Sequence, residues 1–148
     1  MGRKNKQPKT AKGFPSSGKI PKTSNLETAY QREIFRWGVD AVQLEGEFGF
    51  HLCELRSLFG DVIARLKHFE SMTWAEVIPG TGSHEIMFSK IARGAQETIQ
   101  RIFGDELDVI SLRLGGRPRI FGVRQGAVCS LLFYDPEHQI CPSEKKHT

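Results

Sequence analysis

Residues 110–138, ISLRLGGRPRIFGVRQGAVCSLLFYDPEH, decide the fold of this chain. Three short apolar runs are separated by two glycine-containing turns, which predicts an antiparallel meander with strands at about 108–114, 118–124 and 127–134. Such a meander normally alternates apolar and polar residues, so that one face is buried and the other is solvated. Here the polar positions are mostly arginine: Arg113, Arg117, Arg119 and Arg124. A cationic sheet face repels itself unless an anion binds there, so the pattern indicates an anionic partner.

A long amphipathic segment precedes the meander. Apolar residues recur at gaps of three and four from Leu52 to Phe69, which predicts a helix over about 53–69 that buries one stripe. Gly60 lies inside this segment and disfavours a helix by about 1 kcal/mol relative to alanine. A kink is therefore expected at Gly60.

Helix start and stop signals follow. Thr73 and Glu76 have the spacing of a capping box, which predicts one helical turn that ends before Pro79. A second apolar stripe predicts a helix over about 87–103, with Gly104 just past its last turn. Both long helices are expected to pack on the same side of the sheet.

The opening of the folded region has a strand-like pattern. We predict a hairpin with strands at 33–43 and 47–52, so that the element order is β-β-α-α-β-β-β. This order is typical of a two-layer α+β domain over 27–148, with two helices packed on an antiparallel sheet. Strict alternation along the middle strand would bury either Ile120 or Phe121 and leave the other facing out.

Positive charge is concentrated at the N-terminus. The formal net charge is +4, but residues 1–26 carry seven lysines and arginines and no acid. This arm also has three prolines and no apolar period, so it is predicted to be disordered. It could touch phosphates loosely through Lys4, Lys6, Lys9 and Lys12. The alternatives are a solubilising tail or a segment that orders on a protein partner.

One segment of the meander resembles a known family. Gly116-Arg-Pro-Arg-Ile-Phe-Gly-Val123 opens the middle strand, after two helices, in a way that resembles the RelE/ParE superfamily of small bacterial toxins. The resemblance covers about residues 52–135 and implies paired helices on an antiparallel sheet. It also implies metal-independent mRNA cleavage at the ribosome, or gyrase inhibition as in other members, and an antitoxin partner. The chain departs from the family in its long opening hairpin and in the tail after Tyr134, which is similar to tails of small uncharacterised bacterial proteins.

The arginines suit the chemistry that this resemblance implies. Attack of an RNA 2′-OH on the adjacent phosphate needs a base, an acid and positive charge at the phosphate. Arg113 and Arg119 lie on neighbouring predicted strands and could clamp a phosphate, which arginine binds through two parallel hydrogen bonds. The alternative is that both form ion pairs with acidic residues across the sheet. Besides the lysines of the arm, we predict nucleic-acid contacts at Arg117, Arg124, Lys145 and Lys146.

Two residues after the last strand complete the predicted catalytic set of Arg113, Arg119, Tyr134 and His138. His138 is the natural acid or base, because imidazole titrates near neutrality. The alternative is that His138 caps the turn made by residues 135–137. A zinc site would combine Asp135, His138, Cys141 and His147, but a second close pair of cysteines or histidines is missing, so no metal or other cofactor is predicted.

The remaining signals concern setting and class. Three scattered cysteines without a CxxC motif favour a reduced, cytoplasmic setting, and no stretch is apolar for long enough to cross a bilayer. His51, Cys53 and His84 have no partner at a useful spacing. The sequence therefore favours a metal-independent endoribonuclease of the toxin type that acts on RNA or the ribosome. The alternative is a non-catalytic nucleic-acid- or protein-binding module, such as a mobile-element accessory protein.

Overall fold

The computed structural model describes residues 29–105 and 107–142. The predicted arm, residues 1–26, lies outside the described residues, as do Lys145, Lys146 and His147. In chain order the described elements are β1 (Arg36–Gly38), α1 (Leu55–Ser57, Leu58–Ile63 and Ala64–Phe69), α2 (Trp74–Val77), β2 (His84–Ile86), α3 (Arg93–Phe103), β3 (Asp108–Arg113), β4 (Arg119–Gln125) and β5 (Val128–Asp135). This mixture of helices and a sheet confirms the α+β class.

The meander forms as predicted, and it is the centre of a five-stranded sheet with the order β1-β5-β4-β3-β2. Strands β3, β4 and β5 pair antiparallel, so that Arg113 lies opposite Arg119 and Arg119 lies opposite Asp135. Strand β1 runs parallel to β5, with Arg36 opposite Val128. The sheet is therefore mixed rather than wholly antiparallel.

The predicted hairpin at 33–43 and 47–52 is wrong. Within it only Arg36–Gly38 forms a strand, and Phe50–Leu52 is a 3-10 turn. The intervening loop instead supplies partners to β5 beyond the end of β1: the Gln43 amide donates to the Leu132 carbonyl at 2.9 Å, and the Tyr134 amide donates to the Phe48 carbonyl at 2.9 Å. Pairing with a central strand thus satisfies backbone groups that a local hairpin would have used.

The first predicted helix is confirmed, and Gly60 lies in an irregular part of it. Helix α1 has a π-helical middle section, Leu58–Ile63, which contains Gly60. The capping box is confirmed as well, because the Thr73 hydroxyl accepts from the Glu76 amide at 3.3 Å and the Thr73 amide donates to the Glu76 carboxylate at 2.7 Å. Helix α2 then ends at Val77, before the proline.

The second predicted helix begins later than expected, at Arg93 rather than near residue 87. Residues 84–86 pair with β3 as strand β2, and the Ala92 amide donates to the Ile140 carbonyl at 2.8 Å. Sheet pairing and this long-range bond hold the segment before Arg93 outside a helix. Gly104 ends α3 with a φ of 83°, as predicted.

The helices cover both faces of the sheet, contrary to the predicted two layers. One apolar cluster, which we call the α1 face, packs Leu66 of α1 and Trp74 of α2 against Ile110 and Ile120 of the sheet. The other, the α3 face, joins Ile99 of α3 to Phe121 and the opposite side of the same strands. Because each face has its own cover, Ile120 and Phe121 are both buried, and the expectation that one of them faces out is wrong.

Candidate anion-binding site

Five basic side chains line a concavity of about 690 Å³ on the α3 face, at the edge where β2, β3 and β4 meet the tail after β5. We call it the cationic concavity, and its basic residues are His84, Lys90, Arg113, Arg119 and His138. Ile86, Met87, Cys141 and Pro142 supply an apolar part of its wall. Three of the four predicted catalytic residues, Arg113, Arg119 and His138, therefore lie in one concavity.

Arg113 is held by the loop before β2. Its backbone amide donates to the Ser83 hydroxyl at 3.0 Å, which extends the pairing of β2 with β3 by one residue. Its side chain packs across Gly82, where a Cβ atom would lie 2.9 Å from the Arg113 Cδ. Gly82 also has a φ of 80°, which favours glycine. Both properties of Gly82 let the Arg113 side chain lie along the loop into the concavity.

Arg119 is attached to the β3–β4 turn. Its Nη1 atom donates to the carbonyls of Gly116, Arg117 and Pro118 at 2.6, 3.1 and 3.0 Å. Its Nε atom is buried without a partner in the described structure. Desolvation by burial lowers the pKa of Arg119, the nearby Arg113 lowers it further, and Asp135 opposes the shift. Arg119 thus stabilises the β3–β4 turn through its Nη1 atom, while its Nε atom remains an unpaired donor in the described structure.

Ion pairs were the predicted alternative for Arg113 and Arg119, but in the described residues of the meander they form at two other arginines. Arg117 pairs with Glu137 at 3.0 Å on the exposed side of the turn. Arg124 pairs with Asp108 at the far end of β4 and lies 3.6 Å from the Tyr30 ring centroid, so it is outside the concavity. In the described part of the chain, neither Arg113 nor Arg119 has a carboxylate oxygen within 4.0 Å.

His138 lies in a tight turn after β5 with a φ of 58°. The carboxylate that closes the turn belongs to Asp135, which accepts from the Gln139 amide at 2.9 Å and from the Ile140 amide at 2.8 Å. Asp135 therefore closes this turn, and the His138 ring lines the concavity. Ile140 is fully buried on the α3 face, so this part of the tail is anchored in the core.

His84 and Lys90 are the residues of the concavity that sequence reasoning missed. His84 lies opposite Ser111 in the β2–β3 pairing, two positions before Arg113, and alternation puts it on the face of Arg113. Lys90 ends the 3-10 turn that follows β2. Both could have been found by predicting strand β2. If Ile86 is recognised as a sheet residue, His84 is placed beside the arginines.

Tyr134 does not belong to the concavity. Because it is adjacent to Asp135 on β5, it points to the α1 face, where its ring lies 6.0 Å from that of Phe50. Burial, with a further contribution from Cys53, raises the pKa of Tyr134 to about 12. The structure therefore separates this predicted catalytic residue from the other three.

A second, apolar cavity of about 660 Å³ lies on the α1 face, on the side of the sheet opposite Arg113. Trp37, Leu58, Val62 and Leu131 form part of its wall, and the large exposed apolar residues Val39 and Leu44 line it as well. The cationic concavity and this apolar cavity thus present two chemically different surfaces.

The described residues contain neither a grouped set of metal ligands nor a membrane-spanning helix. Between residues 29 and 142, Glu106 excepted, no three His, Cys, Asp or Glu side chains gather into a possible metal site. No helix in those residues is both long and apolar enough to cross a membrane. The predicted contacts at Lys4, Lys6, Lys9, Lys12, Lys145 and Lys146 lie outside the described residues.

No protein-family model matches this chain, and comparisons with curated proteins and with solved structures found no similar protein. The relationship to the RelE/ParE superfamily therefore stays a prediction.

Proposed function

We propose that the cationic concavity binds the phosphate backbone of RNA and cleaves it without a metal ion. Arg113, Arg119 and Lys90 would hold the phosphate, and His84 and His138 would transfer protons. The observation that carries the proposal is the convergence of three cations and two imidazoles from separate segments, with no carboxylate paired to either arginine in the described residues.

The charge balance supports an anionic ligand. Glu85 also lines the concavity, and its carboxylate accepts from the Tyr30 hydroxyl at 3.0 Å. Asp135 is the acid beside Arg119, and its two oxygens are engaged by backbone amides. Neither acid forms an ion pair with Arg113 or Arg119 in the described residues, and a phosphate would lower the repulsion between these two arginines.

The proposed reaction needs only groups found in the concavity and in RNA. One imidazole takes the proton of the 2′-OH, and the 2′-oxygen bonds to the phosphorus. The bond from phosphorus to the 5′-oxygen breaks, and that oxygen takes a proton from the other, protonated imidazole. The arginines stabilise the charge that develops on the phosphate oxygens. The products are a 2′,3′-cyclic phosphate and a 5′-hydroxyl.

Cleavage of labelled single-stranded RNA in EDTA, and of mRNA on translating ribosomes in a separate magnesium-containing buffer, tests the proposal. We expect products with 2′,3′-cyclic phosphate ends, and an RNA with a 2′-deoxy sugar at the cleaved position should resist. His84→Ala and His138→Ala should each lower the rate about 10²- to 10⁴-fold. Tyr134→Phe is the matched control, because Tyr134 lies on the other face, and it should retain activity. Intact RNA under all conditions with folded protein would reject catalysis.

A second candidate function is RNA binding without chemistry. The observation that favours it is the use of the Arg119 guanidinium by three turn carbonyls, which limits its freedom to follow a reacting phosphate. The assay above separates the two functions, since a binding module would shift RNA mobility and leave the RNA whole.

A protein partner, such as the antitoxin that the family resemblance implies, would suit the opposite face of the sheet. Val39 and Leu44 are 61% and 69% exposed beside the apolar cavity. Contiguous exposed apolar surface is typical of protein interaction sites. Co-purification from a cytoplasmic extract of wild type and of Leu44→Asp tests this assignment, and we expect the substitution to release the partner.

A further inference from the structure

We infer that Asp135 is the positioning residue of the cationic concavity. Its carboxylate closes the turn that holds His138 there, and it supports the charge of Arg119, its partner on the neighbouring strand. This inference rests on the proposed function, since it assigns a role within the same site. Asp135 itself is 1% exposed and touches no substrate, so it would act through its neighbours.

Both carboxylate oxygens of Asp135 accept hydrogen bonds from the backbone. Each accepts one backbone amide, from Gln139 at 2.9 Å and from Ile140 at 2.8 Å. Hydrogen bonds to a charged acceptor are stronger than neutral ones, and a buried amide without an acceptor is unfavourable. The turn that contains His138 is therefore closed from inside by one side chain.

The backbone of His138 is held in an uncommon conformation. Its φ of 58° is in the left-handed region, which a residue with a side chain rarely adopts. Such a conformation persists where its surroundings over-determine it, and it is frequent at functional sites. Here Asp135 fixes one side of the turn, and the buried Ile140, whose carbonyl accepts from the Ala92 amide at 2.8 Å, fixes the other.

Asp135 also affects the charge of Arg119. Asp135 is the cross-strand partner of Arg119, which is in turn the partner of Arg113. The carboxylate favours the charged form of Arg119 against burial and against Arg113. Because its oxygens are engaged by amides, Asp135 supports the charge of Arg119 without forming an ion pair within 4.0 Å of it. An aspartate committed in this way leaves the guanidinium available to an external anion.

Asp135→Asn tests the inference, because one oxygen becomes an NH₂ group that cannot accept an amide hydrogen. With single-stranded RNA as the substrate, we expect kcat to fall about 100-fold from misplacement of His138, while KM changes less than about threefold. In kcat, His138→Ala combined with Asp135→Asn should be no slower than the slower single variant, because the expected loss of kcat arises through the His138 imidazole. Asp108→Asn, which removes a carboxylate at the far end of the same sheet, is the control and should keep wild-type kcat.

The inference is overturned by wild-type kcat in Asp135→Asn, or by rate losses that multiply in the double variant. A readout independent of cleavage separates it from the proposed function. In the wild type, the Gln139 and Ile140 amides should be protected from hydrogen exchange, and inorganic phosphate should shift the His138 imidazole resonances. Asp135→Asn should lose both. If the wild type binds phosphate in this way but leaves RNA intact, catalysis is rejected and positioning stands. Unprotected amides in the wild type reject the positioning role even if Asp135→Asn does not fold.

Discussion

Replacing Arg113 by alanine is expected to weaken RNA binding strongly while leaving the fold intact. In the described residues, the Arg113 side chain makes no ion pair within 4.0 Å and donates no hydrogen bond within 3.5 Å. It packs across Gly82 and lies opposite Arg119, a second cation. The substitution therefore removes a charge that the protein itself does not use.

The magnitude follows from these contacts. Like charges directly opposite each other on a sheet destabilise it by about 0.2–1 kcal/mol, so losing one of them offsets the packing lost over Gly82. At about 2–4 °C per kcal/mol for a chain of this size, Tm should change by less than about 4 °C. A charged hydrogen-bonded contact to phosphate contributes about 1.5–3 kcal/mol, which corresponds to about 10- to 100-fold in Kd.

The assay is fluorescence anisotropy of labelled single-stranded RNA at several salt concentrations, with Tm measured on the same samples. Losing one phosphate contact should reduce the slope of log K against log salt by about 0.7. Arg124→Ala is the matched control from the same sheet, because Arg124 pairs with Asp108 and covers the Tyr30 ring. It should lose about 1–2 kcal/mol of stability and retain RNA affinity. Wild-type affinity in Arg113→Ala, or a Tm lower by ten degrees or more, would refute the reasoning.

Three further predictions concern the core and its titration. Leu66→Ala and Ile99→Ala, both at fully buried positions on opposite faces, should each lower the free energy of unfolding by about 2–5 kcal/mol in urea denaturation. Gly122→Ala should destabilise by about 1–3 kcal/mol, because its Cβ would lie 2.6 Å from a cysteine sulfur on β5, whereas Gly60→Ala has no atom within 4 Å and should not. The free energy of unfolding should fall as pH rises from about 10 to about 12, because Tyr134 ionises at its ordinary pKa of 10.0 in the unfolded chain but stays protonated in the folded state. Tyr134→Phe should reduce this loss. If the free energy of unfolding of Tyr134→Phe falls with pH as steeply as that of the wild type, the assignment is contradicted.

Local patterns predicted those elements whose backbone partners are near in sequence. The meander was predictable, because its turns join strands that pair with their immediate neighbours along the chain. The capping box at Thr73 and the glycine end at Gly104 were equally predictable, since both act within one helical turn. Arg113 and Arg119 were recognised as a pair for the same reason.

Non-local pairing explains the errors. Strand β1 pairs with β5 from about ninety positions away, and strand β2 is only three residues long, so neither has a local signal that outweighs its surroundings. Missing β2 also meant missing His84 and Lys90. The grouping of Tyr134 with the arginines failed because adjacent residues of a strand point to opposite faces.

The sequence by itself determined the α+β class, the order of the meander strands and the closeness of Arg113 to Arg119 across the first turn, because these depend on periodicity and turn chemistry over a few residues. Only the tertiary structure decided that helices cover both faces of the sheet, that β1 joins it in parallel, and that the turn after β5 brings His138 to Arg113 and Arg119. The physical reason is that contacts between distant segments form only when burial of apolar surface offsets the loss of chain entropy. That balance depends on the whole core rather than on any one stretch of the chain.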